Sequence, residues 1–207
     1  MSGADLYAAC KSGDHSRVKD LLSLDTLDIN WKNTAEKDQT SLHAACQGGH
    51  LSVVEELLKS TKLDPNIKDA SKTAPVDRSF GSNLALILKR LLQDPRVFVP
   101  ELFRACALNQ PDKVKELLSN AELNVNEAVG KGKTALYNAC RKGHVDIVRL
   151  LGEDPRMELE QPTSGGVTPL EIAWVKRNFE VAHYLKKKRN LLSFDSMTPL
   201  IQCYPFC

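Results

Sequence analysis

Histidine, cysteine, serine and paired carboxylates are the side chains with which this sequence could do chemistry, and their spacing decides whether it does. His50 and His144 each follow a glycine, in Gly49-His50 and Gly143-His144, and His43 stands three residues after Thr40. Histidine can act as a general base or metal ligand, but histidines recurring at equivalent places read more simply as hydrogen-bonding spacers. His15 and His183 stand alone and are expected at the surface. Cys10, Cys46, Cys106 and Cys140 each follow an alanine, and no two cysteines form a CxxC pair of the kind that grips zinc. They read as small apolar thiols packed inside a helical layer, in a reducing, intracellular setting. Cys203 and Cys207 form only a terminal CxxxC. The stretch "GKGKT" from Gly130 lacks the full phosphate-binding loop and reads as a bend. Neither a nucleophile elbow around serine nor an HExxH motif occurs. Glu55 and Glu56 are neighbours in sequence, which on a helix do not face each other. No catalytic residue, metal ligand or cofactor-binding group is therefore expected.

The elements that would position these residues show a period. "TSLHAACQGGHLSVVEELL" from Thr40 returns as "TALYNACRKGHVDIVRLL" from Thr134. The anchoring leucines are Leu6, Leu42, Leu102, Leu136, Leu170 and Leu200, most of them 30 to 36 residues apart, and the one 60-residue gap holds a degenerate copy. In "TALYNACRKG" Leu136, Ala139 and Cys140 fall at i, i+3 and i+4 and share a helix face. Gly143 then supplies a bend. "HVDIVRLL" puts Val145, Ile147, Val148 and Leu151 on an apolar stripe, with Asp146 and Arg149 towards water. Neither helix is long enough to stand alone, so each unit must cover its apolar side with a neighbour. Thr40, Thr73, Thr134, Thr168 and Thr198 fit helix N-caps or turn hydroxyls. The Asn, Gly and Asp between units call for tight projecting turns.

On these residues the chain resembles the ankyrin-repeat family. "TPLEIAWVKRNFEVAHYL" matches more loosely, and "ADLYAACKSGDHSRVKDLL" resembles a first repeat. The resemblance implies an all-α repeat solenoid, a stack of paired antiparallel helices with projecting inter-repeat turns, as a single domain over 1–207. It divides approximately into an N-terminal cap repeat at 3–30, repeat 2 at 38–66, degenerate repeat 3 at 71–96, repeat 4 at 99–126, repeat 5 at 132–160, repeat 6 at 166–190, and an incomplete repeat or tail at 196–207.

Three departures from the pattern carry expectations. Pro75 stands where Leu42 stands in repeat 2, which loosens or shortens the first helix of repeat 3. Trp174 takes the place of Cys46 and Cys140, and Arg177 that of Gly49 and Gly143, so repeat 6 is expected to splay from the stack. "TPLIQCYPFC" stops before a second helix, leaving apolar surface for a tail, a partner or further sequence to cover.

Composition narrows the partner. The formal net charge is +2 and aromatic residues make up 6%, which argues against nucleic acid as a partner. No apolar run approaches the length needed to span a bilayer, and "MSGADLYAAC" lacks a basic leader and an apolar signal core. Lys186 to Arg189 favour a helix C-terminal dipole, with nuclear localisation or an anionic surface as the competing reading. The resemblance implies a non-enzymatic adaptor or scaffold that holds a protein partner on its concave side. The alternatives are a regulatory or targeting module of a larger signalling protein or enzyme, and a steric enzyme inhibitor. The expected compartment is the cytoplasm, with the nucleus as the other. By position, Trp31, Lys32, Lys68, Val129, Lys131 and Gln161 fall on the fingers, and Gln47, Leu108, Arg141, Lys142 and Lys176 at the variable ends of first helices. Trp31 reads either as a binding hot spot or as a lid over the first helix pair. Lys131, Lys133, Arg141 and Lys142 form a basic set suited to an acidic peptide or helix, or a solvated face.

Overall fold

The computed structural model describes residues 2–80 and 84–189. These form six helix pairs: α1 (Gly3–Ser12) with α2 (His15–Leu22), α3 (Ser41–Gly48) with α4 (Leu51–Lys59), α5 (Pro75–Arg78) with α6 (Ala85–Gln93), α7 (Glu101–Ala107) with α8 (Pro111–Leu118), α9 (Ala135–Lys142) with α10 (Val145–Glu153), and α11 (Pro169–Val175) with α12 (Phe179–Lys188). Strands β1 (Lys32–Asn33) and β2 (Gln39–Thr40) form one antiparallel hairpin, and β3 (Ala128–Val129) and β4 (Lys133–Thr134) another. The chain divides into two compact units, Met1–Phe98 and Val99–Cys207.

Within each unit, first helices pack on first helices and second helices on second helices. In the first unit α1 meets α3, α3 meets α5, α2 meets α4 and α4 meets α6; in the second α7 meets α9, α9 meets α11, α8 meets α10 and α10 meets α12. The anchoring leucines Leu6, Leu42, Leu102, Leu136 and Leu170 are buried, and so are Val18, Val54, Val114, Val148 and Val181 of the second helices. Each such side chain contributes roughly 1.5–3 kcal/mol through removal from water. Cys10, Cys46, Cys106 and Cys140 are free and buried, and burial pushes the thiols of Cys10 and Cys106 up to about 12. Leu200, Thr198 and the incomplete repeat at 196–207 lie outside the described residues.

The bend inside a pair uses left-handed backbone. Gly13, Gly49 and Gly143 adopt it, and so do Asn109 (φ 56°) and Arg177 (φ 60°) at the matching place in their pairs. This corrects the expectation for repeat 6. Arg177 keeps the glycine conformation, α11 and α12 stay packed on α9 and α10, and the Trp174 ring leans on Phe179 with centroids 5.7 Å apart.

Repeat 3 needs a second correction. Pro75 opens α5 with Ala74 as its N-cap, the place of Pro169 in α11, where proline lacks no needed N–H. Val76, buried, therefore takes the place of Leu42. Thr73 consequently caps no helix, and its hydroxyl donates to Asp69 (2.9 Å). The helix is short all the same: Ser79 follows Arg78 as its C-cap and donates its hydroxyl to the Val76 carbonyl (2.6 Å). Thr40, Thr134 and Thr168 are N-caps.

Side chains tie successive repeats together at the backbone level. The Asn30 amide donates to the Lys62 carbonyl (2.9 Å) and accepts from Asp64 N–H (2.9 Å). Asn66 does the same with Arg96 and Phe98, and Asn126 with Arg156 and Glu158. Two Asp-Pro-Arg segments add a clamp. Arg96 donates to the carbonyls of Leu58 (2.8 Å) and Ser60 (2.9 Å) at the end of α4, while Asp94 holds its Nε (3.0 Å) and Nη2 (2.8 Å). Arg156 donates to the carbonyls of Leu118 (3.0 Å), Asn120 (2.9 Å) and Ala121 (2.8 Å) after α8 and is held by Asp154 in the same way. These carbonyls end a helix and have no helical partner, so a planar fork of donors suits them.

Candidate protein interface

The fingers are built from hydrogen bonds that sequence types select. In the first, Asn33 accepts from Ala35 N–H, a short 3₁₀ turn Thr34–Glu36 follows, and Lys37 and Asp38 both take left-handed backbone to reverse the chain. The Glu36 carboxylate receives Tyr7 Oη (2.9 Å) and Lys11 Nζ (2.5 Å), both from α1, so the finger is moored to the first helix. Those two donors, Lys11 foremost, hold Glu36 below the usual carboxylate range. Burial and the facing Glu36 push Tyr7 up to about 12.

The second finger turns around Asp69. Its buried carboxylate accepts from Ser71 N–H (2.8 Å), Thr73 N–H (3.1 Å) and the Thr73 hydroxyl, and pairs with Arg78. Burial opposes the charge, but the Thr73 amide, Arg78, the Thr73 hydroxyl and the Ser71 amide outweigh it and hold the group at about 2. Ala70 N–H donates to the Lys37 carbonyl (2.8 Å), joining this finger to the first. His43 links the same parts from below. Thr40 N–H donates to its Nδ1 (3.1 Å), so Nε2 carries the proton and donates to the Thr73 carbonyl (2.9 Å). In the second unit Lys131 (φ 57°) and Gly132 (φ 74°) turn the β3–β4 hairpin, and the Lys131 carbonyl accepts from Ser164 N–H (2.9 Å) of the next finger. The "GKGKT" stretch is thus the tip of a hairpin.

Histidine at the head of the second helices serves packing as well. His50 Nε2 lies 3.2 Å from the Lys11 carbonyl, and Asn178 fills the same role against the carbonyls of Cys140 (2.8 Å) and Arg141 (3.1 Å). His144 is half-buried, and desolvation followed by the Lys142 charge lowers its pKa. His15 and His183 are exposed.

Of the residues assigned to the surface from sequence, Lys32, Gln47, Lys68, Lys131 and Lys176 are exposed. Trp31, Leu108, Val129, Arg141, Lys142 and Gln161 are half-buried. Trp31 lies over α1: its ring meets Tyr7 edge-on at 6.2 Å, and it crowds Gly3. The Oε1 of Gln161 is buried. Lys131 and Lys133 sit at the hairpin, whereas Arg141 and Lys142 close the opposite end of α9, about 10 Å away at 1.5 Å per residue. The basic set is therefore two pairs, the second partly desolvated. Burial lowers the pKa of Arg141, and burial with the neighbouring Arg141 charge lowers that of Lys142. In the basic run, Lys186 is buried, Lys188 pairs with Glu153 (3.1 Å) and Arg189 pairs with Glu160. Sequence reasoning missed Glu36 and Asp69, whose signal is an acidic residue four positions before Thr40 and Thr73.

Among the described residues no group of three or more His, Cys, Asp or Glu is placed to hold a metal ion, and no helix is long and apolar enough to cross a membrane. The family model for ankyrin repeats matches residues 6–97 and 102–195. The chain belongs to the ankyrin-repeat family. Two solved structures show the same fold at low identity. One is an ankyrin repeat domain from Acinetobacter baumannii, 24% identical with a TM-score of 0.51, covering 89% of this chain and 97% of that one. The other is a chain from the complex of a predatory endopeptidase of Bdellovibrio bacteriovorus with an immunity protein. It is 24% identical with a TM-score of 0.54, covering 91% of this chain and 100% of that one. Ankyrin-repeat scaffolds are protein–protein interaction modules, and this chain is one in kind.

Proposed function

We propose that the chain is a non-enzymatic adaptor that binds a protein partner through the first helices and the fingers of its units, acting in the cytoplasm or the nucleus. The observation that supports this is the mooring of the fingers: the Asp69 turn and the Glu36 contacts fix their backbone before any partner arrives, so little ordering entropy opposes binding. Lys32, Lys68, Lys131 and Lys176 are among the exposed side chains of the fingers and first helices, and their charge suits an acidic peptide or helix.

The test is affinity capture from native lysate with the wild type and with a variant in which Lys32, Lys68, Lys131 and Lys176 are changed to glutamate. Circular dichroism first establishes that both are folded. A protein captured by the wild type and lost by the variant supports the assignment, and an unchanged set of captured proteins refutes this surface. Steric inhibition of an enzyme is the second reading. Only the fold shared with a chain of the endopeptidase complex speaks for it, and it requires that the captured partner be an enzyme whose activity falls on binding.

A further inference from the structure

The two arginine clamps have a third counterpart that lacks its arginine. By the asparagine ladder, Lys62 stands where Arg96 and Arg156 stand, since each of the three offers its carbonyl to the asparagine of the preceding repeat. Ser60 likewise stands where Asp94 and Asp154 stand, with nearly the same backbone: φ −75°, ψ 125° against −82°, 119° and −76°, 120°. The receiving turn is preserved too. Leu27 N–H donates to the Leu24 carbonyl at 3.2 Å, as Leu63 does to Ser60 at 3.4 Å and Leu123 to Asn120 at 3.3 Å.

At this place the molecule has an open cleft of about 340 Å³, lined by Leu22, Leu24, Asp25, Leu27, Ser60 and Lys62 among others. Leu22, Leu24 and Leu27 are the counterparts of Leu58, Ser60 and Leu63, the residues whose carbonyls Arg96 fills. The Lys62 side chain makes one long contact, from Nζ to the Asp25 carbonyl at 3.4 Å. Glu56 also lines the cleft and carries Lys59 at 2.7 Å. A single ammonium cannot match the set of carbonyls that a planar guanidinium satisfies together.

We infer that this cleft accepts the guanidinium of an arginine side chain carried by a protein partner. It is a site apart from the fingers, at the ends of α2 and α4. The carbonyls supply the acceptors and the exposed Leu24 an apolar wall for the arginine stem, while the Glu56 carboxylate stays paired with Lys59. Residues 190–207 contain no arginine, so that segment does not supply the occupant.

Titration of the labelled full chain with N-acetyl-arginine amide, followed by backbone amide shifts, tests this. Shifts confined to Leu22–Ile29 and Ser60–Lys62, at least about tenfold weaker with the uncharged citrulline analogue, are expected. The double substitution Ser60→Asp with Lys62→Arg fills the cleft from within, and should abolish those shifts and raise the melting temperature. Lys62→Ala, which releases the Asp25 carbonyl, should bind the probe at least as tightly as the wild type. Absence of shifts, equal shifts with citrulline, shifts undiminished in the double variant, or weaker binding by Lys62→Ala would each overturn the assignment.

Discussion

Arg156 reaches back 38 residues to donate from Nη2 to the carbonyl of Leu118 at 3.0 Å, while its neighbour Asp154 accepts from the other edge of the same guanidinium. One side chain thereby closes the end of α8 and fastens the following repeat to it. Arg96 repeats the arrangement on α4. A stack in which each unit touches only its neighbours depends on such nearest-neighbour links for cooperativity.

Arg156→Ala should accordingly lower the urea midpoint, since it strips charged donors from several carbonyls at and after the end of α8 and leaves Asp154 without its partner. Arg156→Lys should recover less than half of that loss, because an ammonium keeps the charge but not the fork. Urea unfolding of the three proteins measures both. Full recovery by lysine would show that charge alone matters here.

Arg177 holds left-handed backbone at φ 60°, a conformation that costs a residue with a Cβ roughly 1–2 kcal/mol. Replacement by glycine removes that strain but adds chain entropy to the unfolded state, worth about 0.5–1 kcal/mol. Arg177→Gly should thus stabilise the protein by about 0.5–1 kcal/mol, read as a higher urea midpoint. A lower midpoint would mean that the arginine side chain has a compensating role.

How far these features were legible differs by physical kind. The leucine anchors and the Gly49 and Gly143 bends repeat residue types, so periodicity exposes them. The register of repeat 3 was misread because "TAPV" admits two threadings, Thr73 as cap or Pro75 at the first helical position, and the missing proline N–H decides for the second. The Trp174 splay was misjudged because the ring has room beside Phe179, which spacing alone does not reveal. The clamps and the cleft are not legible in the sequence because arginine's partners there are backbone carbonyls, which every residue carries. For the interface, the exposed lysines were assigned by position, whereas the split of the basic set along α9 needed the helix itself.

Burial lowers the pKa of His43 and of His144, so the unfolded chain takes up protons first as the pH falls. The contribution of these two histidines is therefore flat above about pH 7 and declines as the pH drops through the unfolded value of about 6.5, continuing down to the folded pKa. For His43 the added proton would also displace the Thr40 N–H from Nδ1. Urea unfolding at pH 7.5 and pH 5.5 should show a smaller difference in a His43→Gln, His144→Gln variant than in the wild type. An identical difference would place the proton uptake elsewhere.

Asp69 titrates the other way. Its folded pKa, about 2, lies below the unfolded value of about 3.9, so its stabilisation is present above pH 4 and lost as the pH falls through 2. Asp69→Asn keeps the size but loses the charge facing Arg78 and one acceptor for the turn, and should cost about 2 kcal/mol at neutral pH. The same variant should lose less stability than the wild type between pH 4 and pH 2. A neutral-pH cost without the altered acid limb would mean that the turn geometry, not the ionised carboxylate, is what the substitution disturbs.

Trp31 and Gly3 give the sharpest test of where the tryptophan belongs. A Cβ on Gly3 would come 2.2 Å from Trp31 Cβ and 2.4 Å from its Cγ, and both are atoms near the backbone that cannot swing aside as the tip of a long side chain can. Gly3→Ala must therefore either lift the ring off Tyr7 or tilt the start of α1. Alanine favours a helix by about 1 kcal/mol over glycine, so the intrinsic preference at this position would stabilise the variant. The steric conflict acts in the opposite sense and should exceed it, giving a net loss of about 1–2 kcal/mol. Fluorescence separates the two terms: in a Trp174→Phe background Trp31 is the sole tryptophan, and its emission should move to the red in Gly3→Ala as the ring gains solvent. An unshifted spectrum with raised stability would show that the ring does not rest on α1, and would return Trp31 to the surface available to a partner.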